Sequence, residues 1–182
     1  MSKAIGMAEY QTVSAGIKAA DLMIKTADVE VIEAQVVCPG KYIIILSGDL
    51  SAVKAAVDAA ENNLGEKMID KFVLGNPDDS IFPAIYGANE IKNRNALGTL
   101  ETYSVAAMIV AADTAAKTAE VELIEMRLAR GMCGKSYMLI TGEVAAVSAA
   151  IERAIEAAGD KGMFLDSSVI ANPDDKLWET IV

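Results

Sequence analysis

Histidine is absent from the chain, which removes the side chain that most often serves as general base or metal ligand near neutral pH. Positive charge is scarce: 16 Lys and Arg stand against 26 Asp and Glu for a formal net charge of −10, and no basic run exceeds Lys92-Asn93-Arg94. That balance removes the electrostatic basis for gripping a phosphate backbone and excludes nucleic acid as a partner. Long apolar runs are missing too, because Lys, Asp or Glu interrupts every stretch before the ~20 residues needed to cross a bilayer. The Met-Ser-Lys start has no signal-peptide core, so a cytosolic protein without a membrane segment is expected. Only two cysteines occur in 182 residues, which favours reduced thiols or metal ligands over a structural disulfide. Aromatics make up 5%.

Aliphatic content is what remains. Hydrophobic residues reach 53% and the mean hydropathy is +0.31, carried by Ala, Val, Ile, Leu and Met. Small side chains suit close packing of thin elements, and the apolar surplus predicts burial between subunits as well as within them.

The chain repeats itself, which decides its organisation. Ala4-Ile5-Gly6-Met7-Ala8-Glu9 is answered by Ala96-Leu97-Gly98-Thr99-Leu100-Glu101, and Lys25-Thr26-Ala27-Asp28-Val29-Glu30 by Lys117-Thr118-Ala119-Glu120-Val121-Glu122, both at an offset of 92. Gly40-Lys41 matches Gly134-Lys135 at 94, so two residues are inserted between, and Asn76-Pro77-Asp78-Asp79 matches Asn172-Pro173-Asp174-Asp175 at 96. Two tandem domains follow, residues 1–91 and 92–182.

In each half the pattern reads β-α-β-β-α-β. In the first, alternation predicts a strand over Lys3 to Glu9 and a helix over Ser14 to Thr26, with Ile17, Ala20, Leu22 and Ile24 on its apolar side. Val29 to Val37 is a strand, Cys38-Pro39-Gly40 a turn and Tyr42 to Leu46 the return strand. A second helix opens at Gly48-Asp49, capped by Asp49 or Ser51 and buried through Val53, Ala56, Val57 and Ala60. Lys67 to Leu74 closes the unit, and Asp79 to Ile91 reads as a short helix and linker. This is an α+β class chain of two ferredoxin-like split βαβ domains, each one sheet with two helices on one side. Fold alone assigns no function.

Ala4 to Glu9, the small-residue helix ending Ile24-Lys25-Thr26-Ala27-Asp28-Val29, the Gly-containing turn, Ser47-Gly48-Asp49-Leu50-Ser51-Ala52-Val53 and Val73-Leu74-Gly75-Asn76-Pro77 together resemble the bacterial microcompartment shell domain, and the resemblance covers both halves. With the duplication and the Cys38-Pro39-Gly40-Lys41-Tyr42 turn, the pattern is most similar to the tandem-domain shell proteins of propanediol-utilisation compartments. The resemblance implies a structural, non-enzymatic protein of a shell in the bacterial cytoplasm. It implies a homotrimer that closes a pseudohexameric tile, since a duplicated half needs only threefold symmetry. It puts Cys38, Pro39, Gly40 and Lys41, and Met132, Cys133, Gly134 and Lys135, at a central pore. Lys25 and Lys117 fall at the tile edge, against neighbouring shell proteins. Where many members carry a Pro-Arg-Pro-His-like segment, this chain has acidic Asn-Pro-Asp-Asp.

The same resemblance implies a 4Fe-4S cluster at the pore, held by Cys38 of three subunits, with electron transfer across the shell and an enclosed redox enzyme as partner. The residues agree in one respect: Cys-Pro also ends some iron-sulfur ligand runs, while a chain without four spaced cysteines cannot hold a cubane cluster alone. Other readings of these residues stand beside it. Cys38 also reads as a small buried side chain, and the pore as a metabolite channel without a cluster. Cys133 is either a bystander thiol or an auxiliary sulfur, since it aligns with Pro39 and Met132 with Cys38. Lys41 and Lys135 either offset cluster charge or are solvated. Lys25 and Lys117 also suit helix C-termini through the backbone dipole. Glu9 and Glu101 end equivalent strands and are assigned no chemistry. An enzyme or a nucleotide-binding trimer needs a phosphate-cradling glycine loop or a basic cleft, and neither is present.

Overall fold

The computed structural model describes residues 3–159 and 162–181. The chain divides between Pro77 and Asp78 into two compact units. In the first unit β1 (Lys3–Tyr10) leads through α1 (Val13–Thr26) to β2 (Glu30–Val37) and β3 (Lys41–Asp49), then α2 (Leu50–Leu64) and β4 (Met68–Gly75). The second repeats this as β5 (Ala96–Thr102), α4 (Val105–Thr118), β6 (Val121–Leu128), β7 (Ser136–Gly142), α5 (Val144–Gly159) and β8 (Phe164–Ala171), flanked by α3 (Ile81–Ile85) and α6 (Asp175–Ile181). The sheets are antiparallel, with strand orders β2-β3-β1-β4 and β6-β7-β5-β8, as the split βαβ pattern predicts. Among the described residues no helix is long and apolar enough to cross a membrane.

Equivalent residues build equivalent joints. Thr12 caps α1 by accepting from Ala15 N–H at 3.4 Å, and Ser104 caps α4 by accepting from Ala107 N–H at 3.0 Å. A Cβ on Gly6 would stand 2.5 Å from Val53 Cγ1, and one on Gly98 2.7 Å from Val147 Cγ1. Each glycine therefore sets how closely the second helix lies on the central strand. The pairing of β2 with β3 skips Ile32, and that of β6 with β7 skips Ile124, so both edge hairpins carry the same bulge.

The first core joins Ala8, Tyr10, Met23, Ile44, Leu46 and Val57, with Tyr10 OH donating to Ala60 O at 3.2 Å. The α1 stripe differs from the expected one. Ala15, Gly16, Ala19, Ala20 and Met23 are buried, while Ile17 and Ile24 are 55% and 48% exposed. Small residues let the helix approach β3, and a Cβ on Gly16 would stand 2.4 Å from the Tyr42 ring. In the second unit Trp178 of α6 is buried with Leu97 and Ile124, and Arg94 lies 5.9 Å from its ring centroid.

The repeat boundary at 91/92 and the compact-unit boundary differ. Residues 78–91 follow the second unit because Ile81, Ala84 and Ile85 are fully buried where α3 packs on β6 and α4.

Candidate functional site

Antiparallel β2 and β3 are joined by only Cys38, Pro39 and Gly40. Gly40 N–H donates to Val37 O at 2.9 Å, which closes a tight turn. The turn uses the left-handed backbone at Gly40, φ +90, where a side chain would be strained although nothing lies within 4 Å of its Cβ position. Cys38 is half-buried, while Pro39 and Gly40 are exposed; the Cys38–Pro39 peptide is cis. The thiol thus sits on an open turn and not in the core.

Lys41 begins β3 and pairs with Glu9 of β1. Glu9 lies opposite Ile43, so Lys41 is its diagonal neighbour on the same face of the sheet. The Glu9 side chain is 3% exposed and that of Lys41 20%. Lys41 is therefore neither simply solvated nor a spare cation, since its charge is already matched.

The equivalent turn of the second unit is longer, spanning 129–135 between β6 and β7. Ala129, Gly131, Cys133 and Gly134 all take left-handed φ values, +58, +71, +54 and +89. Ala129 N–H donates to Ser136 Oγ at 3.2 Å and Lys135 N–H to Met132 O at 3.1 Å. Gly134 matches Gly40 in φ, consistent with Cys133 standing at the place of Pro39 and Met132 at that of Cys38. Cys133 is exposed, Met132 half-buried and Gly134 buried. Lys135 Nζ is 3.9 Å from Glu101 Oε2, a looser and more exposed version of the Lys41–Glu9 pair.

Lys25 and Lys117 lie in the last turns of α1 and α4, and each holds the carboxylate four residues back, Asp21 at 2.7 Å and Asp113 at 2.8 Å. On the sheet of the second unit, Tyr137 OH donates to Glu125 Oε2 at 2.9 Å, and Arg127 lies 5.4 Å from the Tyr137 ring centroid. Burial, then the hydrogen bond to Glu125 and its charge, push the Tyr137 phenol up to about 12, against an opposing contribution from Arg127.

Among the described residues no group of three or more Cys, Asp or Glu is placed to hold a metal within one chain. Each chain therefore offers two free thiols, Cys38 on the first turn and the more exposed Cys133 on the second, and a cluster would need copies of the chain to complete its ligand set. Glu9, paired with Lys41 at the root of the turn, is the neighbour that residue types alone did not reveal. The antiparallel register of β1 and β3 was the signal that could have found it.

The BMC domain family model matches residues 4–77 and 96–173. Bacterial microcompartment shell protein PduT of Citrobacter freundii is 40% identical over 182 residues, covering 100% of this chain and 99% of the relative. The crystal structure of a microcompartment protein from Desulfitobacterium hafniense superposes with a TM-score of 0.93 at 41% identity, over 98% of this chain and 99% of that one. A fused permuted hexameric shell protein of the RMM microcompartment shares the fold, with a TM-score of 0.65 at 24% identity over 87% of this chain and 84% of its own.

Proposed function

The chain belongs to the BMC domain family and is a microcompartment shell protein, and on that premise we propose that three copies close a tile whose Cys38 thiolates together hold a 4Fe-4S cluster at the central opening. The observation that carries the reading is the open Cys38 turn, one per chain, in a protein whose described residues offer no metal-binding group of their own. When bound, such a cluster supplies one-electron transfer. The protein's part is to present the thiol. Gly40 bends the chain back within three residues, and Lys41, fixed by Glu9, starts the return strand in a set place. Because Glu9 already balances Lys41, that lysine brings no net positive charge to the opening, and the Cys38 thiolates would hold the cationic iron–sulfur core.

The tile is a structural and electron-passing element of a shell in the bacterial cytoplasm, not an enzyme. Its edges meet other shell proteins through Lys25 and Lys117, both on helix ends with side chains 73% and 41% exposed. An enclosed redox enzyme is the electron partner.

The test is iron and sulfide per trimer, with visible and EPR spectra, on anaerobically reconstituted protein, on Cys38→Ser and on Cys133→Ser. About four irons per trimer, lost in Cys38→Ser and kept in Cys133→Ser, is the expected result. No bound iron in an intact trimer overturns the cluster and leaves a tile whose opening passes small molecules.

A further inference from the structure

In the first unit a groove runs between α2 and the edge strand β4, with Leu50, Lys54 and Val57 on the helix side and Lys71, Phe72 and Val73 on the strand side. It encloses about 340 Å³, within the range of roughly 300–1,000 Å³ usual for small-molecule sites. Its floor is continuous with the core: Val57 is 1% exposed and belongs to the first hydrophobic core, and Val73 packs against that core. Its head is uncovered. Leu50 is 50% exposed, and its Cδ1 lies 3.6 Å from where a Cβ on Gly75 would stand.

The charges at the rim are unequal. Lys71 is engaged, since it pairs with Glu61 of α2. Lys54 is exposed, and no carboxylate among the described residues pairs with it, not even Asp58 one turn further along the helix. The repeat isolates what is particular to this groove. Leu50, Val57 and Val73 keep apolar equivalents in Val144, Ile151 and Val169, whereas Lys54, Lys71 and Phe72 are replaced by Ser148, Ser167 and Ser168, and Glu61 by Ile155. Two of those hydroxyls are held within their own unit: Ser148 Oγ donates to Val144 O at 2.9 Å, and Ser168 Oγ lies 2.9 Å from Thr99 Oγ1. The apolar floor thus belongs to the fold, while the free ammonium above it is a feature of the first unit.

We propose that this groove binds a short-chain aliphatic monocarboxylate, its carboxylate on Lys54 and its chain over Leu50, Val57 and Val73. An unpaired ammonium beside an apolar floor selects that combination of groups. The ammonium donates a charge-assisted hydrogen bond to one end of the ligand, and the aliphatic end removes the exposed face of Leu50 from water. A neutral molecule with the same chain lacks the first contribution, and an amine meets a like charge. Asp58 at the rim disfavours a second carboxylate, which limits the ligand to one. The site lies wholly within the first unit and uses neither cysteine, so it stands apart from the cluster and from its electron transfer.

The test is a titration of the full-length protein with hexanoate, hexanol and hexylamine at constant ionic strength, followed by amide NMR. It is repeated on Lys54→Gln and on Lys18→Gln, the latter removing a lysine of α1 that does not line the groove. Saturable shifts at the Leu50, Lys54, Phe72 and Val73 amides are expected with hexanoate. Affinity should fall roughly tenfold or more in Lys54→Gln and with the alcohol, as loss of a hydrogen bond to a charged group requires, and should be unchanged in Lys18→Gln. The absence of saturable shifts at these amides overturns the site, as does equal affinity for hexanoate in Lys54→Gln and the unsubstituted protein. Shifts that hexylamine reproduces overturn it too, because an unselective apolar surface gives the same response. Iron content does not enter the readout, so the result is decided separately from that of the cluster.

Discussion

Lys41 pairs with Glu9 at the root of the Cys38 turn, and the Glu9 side chain is only 3% exposed. The second unit repeats the pair between Lys135 and Glu101 at 3.9 Å with side chains 40% and 37% exposed. The same residues two times over thus occupy two electrostatic settings. Breaking a buried pair strands a charge, whereas an exposed pair contributes little. Glu9→Gln is expected to destabilise the protein by roughly 2–4 kcal/mol, and Glu101→Gln by less than about 1 kcal/mol. Thermal and denaturant unfolding of the two variants checks this, and equal losses would sink the distinction.

Tyr10 is fully buried, and that burial, with the Glu61 charge, pushes its phenol up to about 12; Tyr137 is pushed to about the same value. A folded-state value above the unfolded one near 10 means that the folded state binds the proton more tightly. The contribution is complete below pH 10 and is lost as pH rises through about 12. Stability should therefore fall between these values, with tyrosinate absorbance rising late and together with unfolding. Tyr10→Phe removes one late-titrating phenol, and an unchanged titration curve would contradict the assignment.

The repeat was legible because the residues that set backbone geometry recur: Gly6 and Gly98, Thr12 and Ser104, Gly40 and Gly134, Asn76 and Asn172. These are local requirements, and local requirements are written in residue type. The buried stripe of α1 was misplaced because Ile17 and Ile24 outrank Ala15 and Ala19 in hydropathy, yet the core needs small residues where Gly16 meets Tyr42. The Glu9–Lys41 pair depends on strand register, and the place of α3 depends on which unit offers it an apolar seat. Both are tertiary facts that spacing does not carry. Cys38 was legible as an open turn residue, while a partner set for it is not contained in one chain.

Gly6 and Gly98 make a steric prediction. A methyl group at either position meets a valine Cγ of the overlying helix at 2.5 or 2.7 Å, below any ordinary contact. The helix must shift, because the valines themselves are fully buried. Gly6→Ala and Gly98→Ala should each cost about 1–3 kcal/mol as overpacking. Melting of each variant measures this, and a neutral result at both would show that the helices slide freely over the sheet.

Cys133 makes the last prediction, which separates a geometric role from a chemical one. It holds φ +54 while exposed, and Gly134 beside it holds φ +89 while buried. Glycine relieves the first position, so Cys133→Gly should leave stability unchanged or raise it by up to about 1 kcal/mol. Gly134→Ala places a Cβ in left-handed backbone and should lower stability by about 1 kcal/mol or more. Iron content decides the chemistry. If Cys133 is a bystander, Cys133→Gly keeps the iron and sulfide of the unsubstituted trimer while melting no lower. A Cys133→Gly trimer that is equally stable but poorer in iron would make this thiol an auxiliary ligand, and would extend the cluster site from the first turn to the second.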